Sequence, residues 1–249
     1  MNSSKYVLLV EYDGTHYHGF QWQVGLPTIQ DEMEKAIKKF CRSDSRVMAA
    51  GRTDSGVHAK GQVVSFRARP GLSATMLVKA LNYYLPQDIA VKTACVADDD
   101  FDVRRDALNR EYHYHILNSN TRSPLSRRFA LLIPGMLNIE MMNEACQLMQ
   151  GEHDFISFTS SLDNKSTVRY VHEAKVEKKG DFVIFRMIAN SFLSHQVRHT
   201  MGLLLRLGLG KLDSRGFKGV MEARSLGLAG PSAPPCGLCL VKVNYAKPL

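Results

Sequence analysis

Apolar residues in this chain recur with two spacings, and the switches between them mark out short elements. Lys5–Tyr12 is continuous and β-prone until Asp13-Gly14 stops it, which predicts a strand. From Thr28 to Phe40 the residues Ile29, Met33, Ile37 and Phe40 fall on one helical face, with Thr28 placed to cap the first turn. Strands are expected at Val47–Ala50 and Gln62–Arg67, a helix at Ser73–Tyr84 and a strand at Ile89–Val96. The first half therefore reads β-α-β-β-α-β.

The acidic loop Asp98–Asp102 separates this half from a second one with the same order. Glu111–Leu117 alternates as a strand, and Ile139–Met149 is a helix with Asn138 as its cap. Arg169–Glu177 and Phe182–Ala189 form a hairpin around Lys179-Gly180. A long apolar helix spans Phe192 to Leu207, and Leu238–Tyr245 closes the pattern as a strand. The expected class is α+β: two ferredoxin-like halves, residues 1–105 and 106–249, whose sheets join and leave a cleft between them.

Composition narrows the class of function. In 249 residues, 32 Lys+Arg stand against 24 Asp+Glu, a formal net charge of +8, which points to a polyanionic partner. The apolar run in the opening segment is about five residues long and ends at Glu11, so no secretory leader is expected. No stretch reaches the roughly 18 apolar residues of a membrane span. Five scattered cysteines make no disulfide framework, which fits a cytoplasmic protein.

The most unusual stretch is Gly51–Gly61 (GRTDSGVHAKG), where three glycines predict a tight loop that lets backbone approach a ligand. Arg52 and Asp54 lie inside it, flanked by hydroxyls; the plain alternative is a turn in which Asp54 bonds its own backbone. Asp13–Gln23 is rich in aromatics, histidines and amides, which either stack on bases or order a surface loop with Phe20 and Trp22 tucked inward. Arg104, Arg105, Arg110, Arg122, Arg127 and Arg128 interleave with Tyr112 and Tyr114, suiting a phosphate backbone with unstacked bases or a solvated charged face. His195 and His199 have the spacing of a zinc-protease pair, but Gln196 replaces the glutamate that such a site needs as its base. Arg198 interrupts an apolar helix and, if buried, requires a carboxylate or phosphate partner. Cys236 and Cys239 form one C-x-x-C without a second ligand pair, as core cysteines do.

The stretch Gly51–Ala59 (GRTDSGVHA) followed by Gly61-Gln62-Val63 resembles the core motif of the TruA family of tRNA pseudouridine synthases. EYDGTHYHGFQWQ (11–23), FDVRRDA (101–107), REYHY (110–114), NSFLSHQVRHTMG (190–202) and PPCGLCLVKVNY (234–245) agree in the same order, so the likeness covers essentially the whole chain. Ser55 stands where the family usually has Ala, and Gln196 where Met is common. The resemblance implies a pseudouridine synthase fold and isomerisation of uridine to pseudouridine in the anticodon stem-loop of tRNA, at positions 38, 39 and 40. It also implies a homodimer, a basic cleft and no cofactor or metal. Asp54 matches the family's essential aspartate and Tyr112 the tyrosine that stacks on the target base. Arg52 matches the arginine that helps hold the base out, and Arg198 the arginine that pairs with the aspartate.

Two other classes compete with that expectation. A non-catalytic RNA-binding protein of ferredoxin-like units would need strand aromatics of the RNP1 type, which the sequence lacks. A zinc hydrolase built on His195 and His199 would need a third ligand that no motif supplies.

Overall fold

The computed structural model describes residues 3–161 and 166–247. Its strands are β1 (Ser4–Tyr12), β2 (Met48–Ala49), β3 (His58–Ala68), β4 (Ile89–Ala97), β5 (Asn109–Asn118), β6 (Leu131–Ile133), β7 (Gly151–Asp154), β8 (Val168–Lys179), β9 (Phe182–Ala189) and β10 (Leu238–Asn244). The helices are α1 (Ile29–Cys41), α2 (Ala74–Tyr84), α3 (Ile139–Leu148), α4 (Gln196–Gly208) and α5 (Ser214–Glu222). The class is α+β, as the alternation of periods predicts. Two compact units divide the chain: Met1–Leu108 with Cys239–Leu249, and Asn109–Leu238. These differ from the halves expected at 1–105 and 106–249, because the last segment returns to the first unit.

In the first unit β1 pairs antiparallel with both β3 and β4, and β2 lies against the far end of β3. The β1–β3 register sets Tyr6 opposite Phe66, whose rings stack with centroids 5.7 Å apart. Tyr6, Leu8, Ile29, Met33, Ile37, Leu77 and Leu81 are fully buried and form its core. The helices start where the caps predict: Thr28, Ser73 and Asn138 each accept a backbone N–H from the residue three positions on. The pairing of β3 with β10 is parallel and joins His58 to Cys239 and Ala59 to Leu240. A side chain at Gly61 would strike the Val241 carbonyl, so only glycine allows this approach.

In the second unit β5, β9, β8 and β7 follow one another antiparallel, and β6 lies parallel to β5. The β8–β9 hairpin turns on Gly180 (φ +61°) and Asp181, with Lys179 facing Phe182. Helix α4 is buried on almost every side, which explains its nearly continuous apolar sequence. It begins at Gln196, four residues later than its hydrophobicity predicts. His195 sits in the left-handed region (φ 58°), where a helix cannot continue, and Ser191–His195 forms a connecting turn instead. Helix α5 and the short strands β6 and β7 were not anticipated; each is too brief to stand out from the surrounding loops. Asp213 caps α5 by accepting the Gly216 N–H at 2.7 Å, and Phe217 is its buried anchor. No helix among the described residues is long and apolar enough to cross a membrane.

Candidate active site

The loop carrying Asp54 is shorter than its glycines imply. Only residues 50–57 are irregular, because β3 already begins at His58. That correction has a tertiary cause: Ala59 pairs with Tyr12 on one side and with Leu240 on the other. Within the loop the Asp54 carbonyl accepts the Val57 N–H at 3.1 Å, closing a tight turn. Asp54 itself is half-buried and Arg52 is exposed.

The turn is clamped by the segment after β1. Phe20 N–H donates to the Thr53 carbonyl at 3.0 Å, and Gly56 N–H to the Tyr17 carbonyl at 3.1 Å. Gly14 N–H donates to His58 Nδ1 at 3.1 Å, and a side chain at Gly14 would collide with the Val57 carbonyl. Gly19 (φ +85°) lies so close that an added Cβ would stand 2.6 Å from the Thr53 carbonyl oxygen. Beneath the turn, Gln62 Nε2 donates to the Gly51 carbonyl at 2.7 Å and reaches the Tyr12 hydroxyl at 3.4 Å. The Tyr12 hydroxyl also shares a hydrogen bond with Thr53 Oγ1, 2.8 Å away. Burial drives the Tyr12 phenol well above its ordinary range, so this network stays neutral. Phe20 is buried, as the ordered-loop alternative required, whereas Trp22 remains 42% exposed. The aromatic segment 13–23 therefore supports the Asp54 turn through its backbone.

Tyr112 and Arg198 belong to the second unit. Tyr112 is buried on β5, on the face it shares with Arg110 and Tyr114, and its ring meets Phe192 edge-on at 5.1 Å. Arg110 is buried and donates from Nη1 to the Asn190 carbonyl at 2.8 Å, so it braces the β9–α4 connection. Tyr114 also has a structural role, its hydroxyl donating to the Pro234 carbonyl at 2.7 Å. Arg198 donates from Nε to the Ala233 carbonyl at 2.8 Å, and Ala233 N–H donates back to the Arg198 carbonyl at 2.9 Å. That strap sits tightly on α4, because a side chain at Gly202 would strike the Pro231 carbonyl.

The histidine pair has other partners. His199 Nδ1 lies 2.7 Å from the Gly230 carbonyl and must carry the proton there, since a carbonyl only accepts. His195 Nδ1 faces Ser160 Oγ at 3.3 Å. Among the described residues no third His, Cys, Asp or Glu joins them in a metal-holding group.

The exposed arginines divide by support. Arg104 and Arg105 project from a turn whose backbone N–H groups both bond Asp102 Oδ1 at 2.8 Å. Arg122, Arg127 and Arg128 are exposed on the loop between β5 and β6. The two N–H bonds, Arg105's ahead of Arg104's, hold the Asp102 carboxyl below its ordinary value of 3.8. A lowered folded value means that this contribution to stability is present above the unfolded pKa and is lost as pH falls through the folded one. Asp102→Ala is therefore expected to lower Tm at neutral pH and to narrow the difference in Tm between wild type and variant below about pH 4. Thermal melts across pH 2.5–7 check this; a parallel offset at every pH would contradict it.

The geometry is that of a rigid loop presenting one carboxylate and one arginine, and the comparisons with known proteins agree on its class. The family profile of tRNA pseudouridine synthases matches residues 8–106 and 145–246. Among relatives, the tRNA pseudouridine synthase A of an Exiguobacterium strain is 41% identical over 241 residues, covering 96% of this chain and 97% of the relative. The protein of the same name from Francisella tularensis is 39% identical, covering 96% of this chain and 93% of its own length. That from Neorickettsia sennetsu is 39% identical over 244 residues, covering 97% and 100%. The chain belongs to the TruA family of tRNA pseudouridine synthases.

Proposed function

We propose that this protein isomerises uridine to pseudouridine in tRNA, acting on positions 38–40 of the anticodon stem-loop, with Asp54 as its catalytic carboxylate. The observation that carries the reading is the clamped turn. Backbone from Phe20, Gly14 and Gly19 packs directly on Thr53–Val57, which holds a half-buried carboxylate beside an exposed arginine. Family membership supplies the reaction that such a carboxylate serves.

The reaction breaks the N1–C1′ bond and rejoins the same ring through C5. The bonding pair leaves with the uracil, so positive charge develops on the sugar, and an ionised Asp54 meets that charge as carboxylates do in glycosidases. After the ring turns over, C5 bonds to C1′, the C5 proton is lost and N1 takes one up. Only one proton is exchanged with solvent, the C5 hydrogen leaving and another joining N1, so the product has the composition of the substrate and no co-reactant is consumed. A paired base cannot turn in its stack, so it must be extruded at a cost of a few kcal/mol. Tyr112 recovers part of that cost by stacking, and Arg52 holds the extruded base or its phosphate. Arg198 supplies a cationic group to the reaction, the role that the family resemblance gives it.

The experiment is release of tritium from tRNA labelled at uridine C5 within the anticodon stem-loop, without added metal. Release by the wild type, mapped to positions 38–40, supports the reading; binding without release moves it to RNA binding alone. Affinity for tRNA should also fall steeply with salt. Neutralising four phosphates predicts a loss of about 50-fold between roughly 50 and 200 mM salt. Filter binding at several salt concentrations measures the slope, and a flat response would contradict electrostatic binding.

A further inference from the structure

We propose that Gln196 is a positioning residue that sets the base-stacking ring of Tyr112, acting through Leu193 and Phe192. The inference rests on the stacking role given to Tyr112 above.

Gln196 opens α4 and is 1% exposed. Its Oε1 accepts the Leu193 N–H at 2.8 Å, while its own N–H donates to the Leu193 carbonyl at 3.2 Å. This reciprocal pair closes the turn before the helix in the manner of a capping box. The residue at the cap position offers no substitute, since His195 is left-handed and makes no side-chain capping bond. Phe192, immediately before Leu193, meets Tyr112 edge-on at 5.1 Å with the rings at 87°. A shift of the Leu193 backbone therefore moves the surface against which the Tyr112 ring rests.

The other end of the same side chain adds no stabilising hydrogen bond. Gln196 Nε2 is buried without a hydrogen-bond partner among the described residues. The Leu193 bond fixes the amide's orientation, because a flip would aim an NH2 group at an N–H. An orphaned donor costs stability, and methionine would fill nearly the same volume without it. Replacing glutamine by methionine exchanges one unpaired group, Nε2, for another, the Leu193 N–H. Stability should then barely change while the turn loses its restraint.

The test is single-turnover pseudouridine formation and tRNA affinity for Gln196→Met, Phe192→Leu, their double variant and Tyr112→Leu. Methionine is common at this position in the family, so the dependence belongs to this chain, where the Gln196 amide holds the Leu193 N–H. Here Gln196→Met is expected to slow the single-turnover rate about tenfold, as a misplaced stacking surface does, with tRNA affinity within about twofold of wild type. Its Tm should stay within about 3 °C. Because both side chains act along one path, Gln196→Met should add less than about twofold to the effect of Phe192→Leu. Fully multiplicative effects, an unslowed Gln196→Met, or a Tm loss above about 5 °C with an unslowed folded fraction would each overturn the proposal. Tyr112→Leu separates the two levels. If it reacts as fast as wild type, the stacking role itself fails and the inference with it; if it is slow while Gln196→Met is not, only the inference fails.

Discussion

Asp54→Asn is expected to lose at least about 10³-fold in single-turnover rate while binding tRNA within about twofold of wild type. Asparagine keeps the shape of the side chain and its place in the turn, so the Val57 N–H still meets the residue-54 carbonyl. What it removes is the negative charge. A neutral amide cannot stabilise a cationic sugar or form a bond to it, and it is a poor proton acceptor, so either route through the carboxylate fails. Binding is expected to survive because exposed arginines such as Arg104, Arg105, Arg122 and Arg127, which the substitution leaves in place, are available to phosphates. Rates measured with saturating enzyme, beside filter binding, check both halves. Turnover within about tenfold of wild type would remove Asp54 from the chemistry.

Gly19→Ala should be strongly damaging although it touches no candidate substrate group. Two penalties coincide there. The backbone is left-handed at φ +85°, which costs a side chain about 1–2 kcal/mol. The new Cβ would also stand 2.6 Å from the Thr53 carbonyl oxygen, and backbone on both sides cannot swing away like a flexible side chain. Overpacking of this kind adds about 1–3 kcal/mol, so the sum is roughly 2–5 kcal/mol, or a fall in Tm of about 5–15 °C. Activity at a temperature where the variant remains folded should fall further, about 10²-fold, because relief of the clash displaces Thr53 and Asp54 together. Gly71→Ala provides the control. Its φ is also +85°, but nothing lies within 4 Å of its Cβ, so it carries the backbone penalty alone. Equal losses of activity in the two variants would show that the clamp on the Asp54 turn is irrelevant to the site.

These two glycines show why part of the site was legible in the sequence and part was not. The Asp54 stretch stands out because glycine, arginine, carboxylate and hydroxyl crowd into eleven residues, and its match to a family motif assigned the chemistry. Helix caps at Thr28 and Asn138 were equally plain, since each depends on residues within one turn. The start of β3 at His58 was not, because its partners are Tyr12 and the distant β10. Helix α4 was placed four residues early for a related reason. Phe192 and Leu193 continue the apolar pattern of the helix, yet they belong to the turn that Gln196 and the left-handed His195 enforce.

By itself the sequence determined the α+β class, the order of the main elements and the family, and it singled out Asp54 as the candidate carboxylate. All of these depend on local period, local capping or a contiguous motif. Only the tertiary structure decided that the last strand returns to the first unit, and that the aromatic segment 13–23 clamps the Asp54 turn through its backbone. It alone assigned Arg110 and Tyr114 to bracing while leaving Arg104 and Arg105 exposed. The physical reason is common to all three. Backbone groups that approach from far along the chain leave no period in the sequence, only an occasional glycine where a side chain would not fit.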